Sequence, residues 1–162
     1  MEFHSHTQNH ISYQTYKLSD LCHFEKGMKL HHSQRIEGDY LVIDNQTYPK
    51  YSHSFYNTER DTLICNIIGP TAGNIRVYPV PTYVTENCVK ITIKNTQIVL
   101  KEYLYRVMLY KMKDKIKNIV EGSAIKIIKM RNLMDLEIKI PPLQYQNFQN
   151  KRNLLFFLES QQ

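Results

Sequence analysis

Between Ile98 and Val120, Leu100, Tyr103, Leu104, Val107, Met108, Met112, Ile116 and Ile119 recur three or four positions apart. That spacing lays one apolar stripe along a helix. A stripe of this length has to be buried against a second layer, and the residues before it read as strands. Tyr40–Ile43 is a short β-prone run that ends at Asp44-Asn45. Thr62–Ile68 is a longer apolar run, followed by the turn Gly69-Pro-Thr-Ala-Gly73-Asn74 and a resumed strand over Ile75–Tyr78, which together predict a hairpin. Pro79 and Pro81 stop it. Cys88–Ile93 alternates, with Val89, Ile91 and Ile93 on one side. Leu136, Ile138 and Ile140 alternate again as a last strand that Pro141-Pro142 terminates. The predicted class is mixed α/β (α+β): a twisted sheet with hairpin loops and one long helix.

The ends divide the chain further. Residues 1–15 are polar and read as a flexible leader, in which His4, His6 and His10 have no firm metal-binding partner. A helical turn is expected near Tyr16, because Leu18, Leu21 and Phe24 have helical spacing, with Gly27 breaking it. Asn132 is expected to cap a brief turn holding Leu133, Met134 and Leu136. The folded domain is therefore expected over 16–142, with a terminal helix over 143–162. Leu143, Phe148, Leu154, Leu155, Phe156 and Leu158 are that helix's apolar residues. Phe156, Phe157 and Leu158 run consecutively and cannot all hide on one face, so the helix is expected to dimerise symmetrically or dock a partner. On this reading, cutting after Pro142 leaves a monomer.

Charge is distributed unevenly. Through Gln97 the 9 Lys and Arg balance 9 Asp and Glu; from Ile98 onward there are 12 against 6. Lys101, Lys111, Lys113, Lys115 and Lys117 lie largely off the apolar stripe. They form either a plain solvated face or one that tracks phosphates. The N-terminus has no basic start and apolar stretch of a signal peptide, and no apolar run reaches the roughly 20 residues of a membrane span. An intracellular, cytoplasmic protein is expected. Cys22, Cys65 and Cys88 are odd in number and too far apart for a zinc knuckle, so they read as reduced, buried thiols.

Catalytic signatures are not found. The five glycines have neither P-loop nor dinucleotide-fingerprint spacing, and the only Pro pair follows Ile140 rather than Asn or Asp, as a DNA amino-methyltransferase corner would need. Asp135-Leu-Glu137-Ile-Lys139 imitates half of a nuclease site, but Asp135 is too close in sequence to supply the converging carboxylate. His31, His32 and His53 sit in loops near basic residues, without a serine–histidine–acid pattern. No catalytic residue, metal or cofactor is expected.

Taken in order, several segments carry a resemblance. They are Leu18-Ser-Asp-Leu21, Phe24-Glu-Lys-Gly27, Gly38-Asp-Tyr40-Leu-Val-Ile43, Asn57, Asp61-Thr-Leu-Ile64, Gly69-Pro-Thr-Ala-Gly73, Gly122-Ser-Ala-Ile125 and Ile138-Lys-Ile140-Pro141-Pro142-Leu143-Gln144-Tyr-Gln146. Residues 16–160 thus resemble one target-recognition domain of a type I restriction–modification specificity subunit. The resemblance implies that loops read one half of a double-stranded DNA site in the major groove. It also implies that the helix after the Pro pair packs against a partner helix or docks DNA methyltransferase subunits. Two departures stand out. Whole specificity subunits carry two such domains, and the helix from Leu143, about 28 Å at 1.5 Å per residue, is short. The DNA-reading candidates expected on loops are Lys29, Arg35, Lys50, Tyr51, His53, Asn74 and Arg76, with Ser123 and Lys126 after Gly122. Competing readings are an interaction subunit that does not bind DNA and, last, a small metal-dependent nuclease.

Overall fold

The computed structural model describes residues 10–159, with side chains through Arg152. It has the expected mixed α/β character, but the strands are distributed over four small sheets rather than one. The chain enters through β1 (Gln14–Lys17), one helical turn α1 (Leu18–Leu21) and β2 (Cys22–Lys26). β3 (Tyr40–Ile43), β4 (Ser52–His53), β5 (Leu63–Asn66), β6 (Ile75–Arg76), β7 (Tyr83–Val84) and β8 (Cys88–Ile93) follow. Antiparallel ladders join β2, β8, β5 and β6 in that order. β3 pairs antiparallel with β4 and parallel with β7.

Two expectations near the N-terminal half change. Gln14 and Thr15, assigned to the leader, already pair with Ile140 and Lys139. Phe24 is not in the helical turn. That turn ends at Leu21, because the following residues complete a ladder from Cys22↔Ile93 to Lys26↔Val89. A spacing of three fits a helix, but 22 and 24 also fit the inward side of a strand, and the ladder decides. His4 and His6 lie outside the described residues, while His10 is exposed.

The long helix forms in two pieces, α2 (Lys101–Arg106) and α3 (Lys113–Asn118), joined by a wide π-turn over Val107–Lys111. Leu104, Met108, Met112 and Ile116 are four apart and all buried. A row at that spacing drifts by about 40° per step in a straight α-helix. The wide turn, with Met112 N–H donating to Val107 O at 2.9 Å, underwinds the helix and keeps the row facing the core.

Beyond it, β9 (Val120–Glu121) and β10 (Ile127–Ile128) form a hairpin. Then come α4 (Met130–Met134), β11 (Glu137–Ile140) and α5 (Leu143–Glu159). Asn132 lies inside α4, which starts after Lys129, and so is not its cap. β11 pairs with β1, with Ile138 and Ile140 buried and Glu137 and Lys139 exposed. The main core joins α1, β5, β8, the split helix, α4 and β11. All three cysteines are buried and free, and burial pushes their thiols up to about 12. They are inert packing residues at neutral pH.

The first turns of α5 are bound to this domain. The Gln146 side chain is fully buried. Its Oε1 accepts the Leu100 N–H at 2.9 Å, and its Nε2 donates to Ile98 O at 2.8 Å and Pro141 O at 2.9 Å. Leu100 precedes the first turn of α2, which has no side-chain cap of its own, so Gln146 satisfies a backbone donor there. Arg106 also reaches Gln149 O at 3.3 Å and the Asn150 side chain. The simple division at Pro142 thus gives way to a helix whose start belongs with the domain.

Candidate nucleic-acid interface

A buried polar network fixes the loops that carry most of the sequence candidates. Asn66, fully buried, donates through Nδ2 to Asp44 O at 3.3 Å and to Thr71 Oγ1. Thr71 Oγ1 donates to Asn45 O at 2.8 Å. Asp44 Oδ1 accepts from Thr85 Oγ1 at 2.8 Å and Asn87 Nδ2 at 2.7 Å. The base of the 44–51 loop is thereby tied to the 69–74 turn. Gly69 has φ +99°, and a Cβ there would lie 2.8 Å from the Asn45 Cβ, so both the conformation and the space require glycine. Its N–H donates to Lys126 O at 2.8 Å, which brings the β9–β10 tip against the same turn.

Between this turn and the split helix runs an open groove of about 820 Å³. Thr47, Asn74, Arg76, Tyr110, Lys113 and Lys117 supply its polar and aromatic lining, and among the described residues no acidic one contributes. Arg76 is held by a hydrogen bond to Gln46 O. Tyr110 is 78% exposed. The lysine row of the sequence is not one face. Lys113 and Lys117, four apart, line this groove, whereas Lys111 and Lys115 line a different cleft with Tyr13, Tyr103 and Lys139. Lys115 Nζ donates to Glu137 O at 2.9 Å there.

A second basic cluster lies at the far end of the 44–51 loop, where Arg35, Lys50, Tyr51 and His32 line a smaller cleft with Glu37. Of the sequence candidates, then, Asn74 and Arg76 share the groove, and Arg35, Lys50 and Tyr51 share this cleft. Ser123 and Lys126 are exposed at the β9–β10 tip, where Lys126 Nζ donates to Gly122 O at 2.9 Å. Lys29 is exposed and lines neither site. His53 has to be corrected. Its side chain is 4% exposed and packs edge-on to Phe55 and Tyr83, and its Nδ1 meets the Ile36 backbone at 3.1–3.2 Å. It packs inside the domain rather than standing on an open loop. Thr47 and Tyr110 were missed by sequence reasoning; the one signal was that Tyr110 lies off the buried stripe.

The nuclease-like triplet finds no site. Asp135 pairs with Lys17 at 3.5 Å and Arg131 at 3.8 Å. Among the described residues no three His, Cys, Asp or Glu side chains approach closely enough to hold a metal. On α5, Leu143 is half-buried and Phe148 is 58% exposed and stacked on Tyr145, with ring centroids 6.4 Å apart. The side chains of Leu154, Leu155, Phe156 and Leu158 lie outside the described residues.

The model of the type I restriction modification DNA specificity domain matches residues 11–151. The chain belongs to that family. Among solved structures, this specificity domain is similar to the S subunit of a type I restriction–modification system from M. genitalium, at 18% identity and a TM-score of 0.82. That match covers 94% of this chain and 41% of the subunit. It is also similar to the HsdS subunit from Thermoanaerobacter tengcongensis, at 16% identity and a TM-score of 0.62, over 91% of this chain and 37% of that one. A third similarity is to a chain from a structure on complex assembly and conformational transition of the type I R-M system. There the identity is 14% and the TM-score 0.67, over 96% of this chain and 40% of that one. At these identities the similarities show the fold. The chain spans about two fifths of the length of the solved chains it matches. No curated protein gives a match.

Proposed function

We propose that this specificity domain binds double-stranded DNA sequence-specifically, as the recognition module of a type I restriction–modification complex or as a stand-alone reader, and has no catalytic centre of its own. One observation carries the reading. The groove combines three cations, Arg76, Lys113 and Lys117, with a side-chain amide (Asn74) and an exposed aromatic (Tyr110), and no carboxylate of the described residues lines it. Cations neutralise phosphates, and an amide or aromatic reaches base edges. Methyltransferase chemistry, and any cleavage, belong in this reading to partner subunits. Among the described residues no helix is long and apolar enough to cross a membrane. Binding of a duplex pool, titrated from about 0.05 to 0.2 M salt, is expected to weaken with a log–log slope near −0.9 per phosphate contact. Absence of binding even at the lowest salt would favour the interaction-subunit reading.

The partner surface in this proposal is the outer part of α5, through which two copies, or one copy and a methyltransferase subunit, associate. Because Gln146 belongs to the domain, a cut after Pro142 would confuse dissociation with unfolding. Replacing Leu154, Leu155, Phe156 and Leu158 together with Gln avoids that. The expected result is a monomer by sedimentation that still unfolds cooperatively, with a thermal midpoint that no longer depends on protein concentration. A variant that still sediments as the wild-type dimer would rule this helix out as the interface.

A further inference from the structure

We propose that Arg35, stacked on Tyr51, is a guanine reader that makes paired hydrogen bonds to the major-groove edge of one guanine in the recognised duplex. The inference rests on the DNA-binding function above and names the base that one side chain selects. The Arg35 Cζ lies 3.7 Å from the Tyr51 ring centroid. Its Nε is buried and finds no hydrogen-bond partner, and no carboxylate of the described residues lies within ion-pair distance of the guanidinium, although Glu37 lines the same cleft. An arginine on a solvated face normally swings freely or pairs with a neighbouring acid. This one lies stacked on Tyr51, and among the described residues its buried Nε has no acceptor.

The backbone is fixed on both sides of it. Arg35 N–H donates to His32 O at 3.3 Å, closing a short 3₁₀ turn over His32–Gln34. The next residue, Ile36, accepts from Ser54 N–H at 2.8 Å and meets the His53 Nδ1. The buried His53 therefore has a positioning role: it pins the residue that follows the arginine. Stacking fixes the guanidinium plane before any ligand arrives, so less side-chain entropy is lost on binding. A phosphate contact needs only a nearby positive charge, which the exposed Lys50 in the same cleft supplies. A planar fork of fixed orientation matches guanine, whose O6 and N7 are both acceptors. Adenine places an amino donor where O6 would be.

The test uses a duplex selected by the wild-type protein from a random pool, together with duplexes altered at one position at a time. Wild type is expected to require guanine at one position. Arg35→Lys, which keeps the charge but loses the fork, is expected to lose about tenfold or more of the discrimination at that position and none elsewhere. Lys50→Ala is expected to weaken all duplexes alike and to lower the salt slope by about one. Tyr51→Phe should retain the guanine preference and Tyr51→Leu should relax it, which keeps the test informative should Arg35→Lys lose its fold. An Arg35→Lys protein that binds every duplex equally more weakly, with the guanine preference intact, makes Arg35 a phosphate contact and overturns the proposal. A wild-type protein that selects no motif overturns the DNA-reading function first, and this inference with it.

Discussion

Gln146→Ala is expected to destabilise the domain by about 3 kcal/mol or more, the largest single-residue effect away from the apolar core. The fully buried side chain makes three hydrogen bonds to the main chain, at Leu100, Ile98 and Pro141. Truncation leaves one N–H and two carbonyls without this partner, the Pro141 bond being buried and the other two part-buried, and a fully buried unsatisfied group costs about 1–3 kcal/mol. The loss is concentrated at one structural joint. The start of α2, the end of β11 and the first turn of α5 are all held through this amide. Gln146→Glu has nearly the same volume and is expected to be at least as damaging, because a carboxylate cannot donate to the Ile98 and Pro141 oxygens. Urea unfolding measures both variants. A loss below about 1 kcal/mol for Gln146→Ala would mean that water replaces the amide at no great cost.

The second large effect falls on binding. Lys113→Ala with Lys117→Ala is expected to reduce duplex affinity at least tenfold at about 0.15 M salt and to flatten the log–log salt slope by about 1.8, at 0.9 per lost phosphate contact. The matched control is Lys111→Ala with Lys115→Ala. It removes the same charge from the same helix, but these lysines line the cleft with Tyr13 and Lys139 rather than the groove. That pair is expected to change affinity less than about threefold, since only long-range screened charge is lost. Equal losses in the two pairs would mean that the protein senses net charge and that the groove has no privileged role. Both pairs are exposed, so stability is expected to stay within about 0.5 kcal/mol of wild type.

The strands and the proline pair that ends the last of them were legible because period two and turn chemistry are local signals, whereas the strand expected over Ile75–Tyr78 already stops at Arg76, before Pro79. Cys88–Ile93, the Gly69–Gly73 hairpin and Ile138–Ile140 all form where alternation and glycine placement put them. What failed depended on partners distant in sequence. Phe24 has the spacing of a helix, and only the distant strand β8 makes it part of a ladder. Gln14 and Thr15 read as a polar leader until β11, more than a hundred residues away, supplies their hydrogen bonds. The split of the Ile98–Val120 helix left a trace in the sequence, the row of residues four apart, but a spacing of four also occurs in unbroken helices.

The site was legible in part, for the same reason. Loop cations can be picked out by type, but whether each is exposed depends on the tertiary fold. Arg35 and Tyr51 are sixteen positions apart and become one unit only when β3 and β4 pair. His53 looks identical in sequence to a loop histidine facing solvent, yet it is buried between Phe55 and Tyr83. Tyr110 and Thr47 enter the groove because the helix and the 44–51 loop approach each other there. Gln146 was visible as a family-like feature after the Pro pair; its work as a buried clamp was not, since the backbone groups it satisfies lie up to 48 positions away.

Sequence reading by this specificity domain is the property on which its proposed function turns. The decisive measurement is selection from random duplex DNA by the whole purified protein at about 0.15 M salt, where binding through phosphates alone is weakened. A sequence reader enriches a defined motif that contains an invariant guanine, repeated as two half-sites at fixed spacing where the protein is a dimer. Retention of duplex without enrichment of any motif, or no retention at all, would contradict sequence reading.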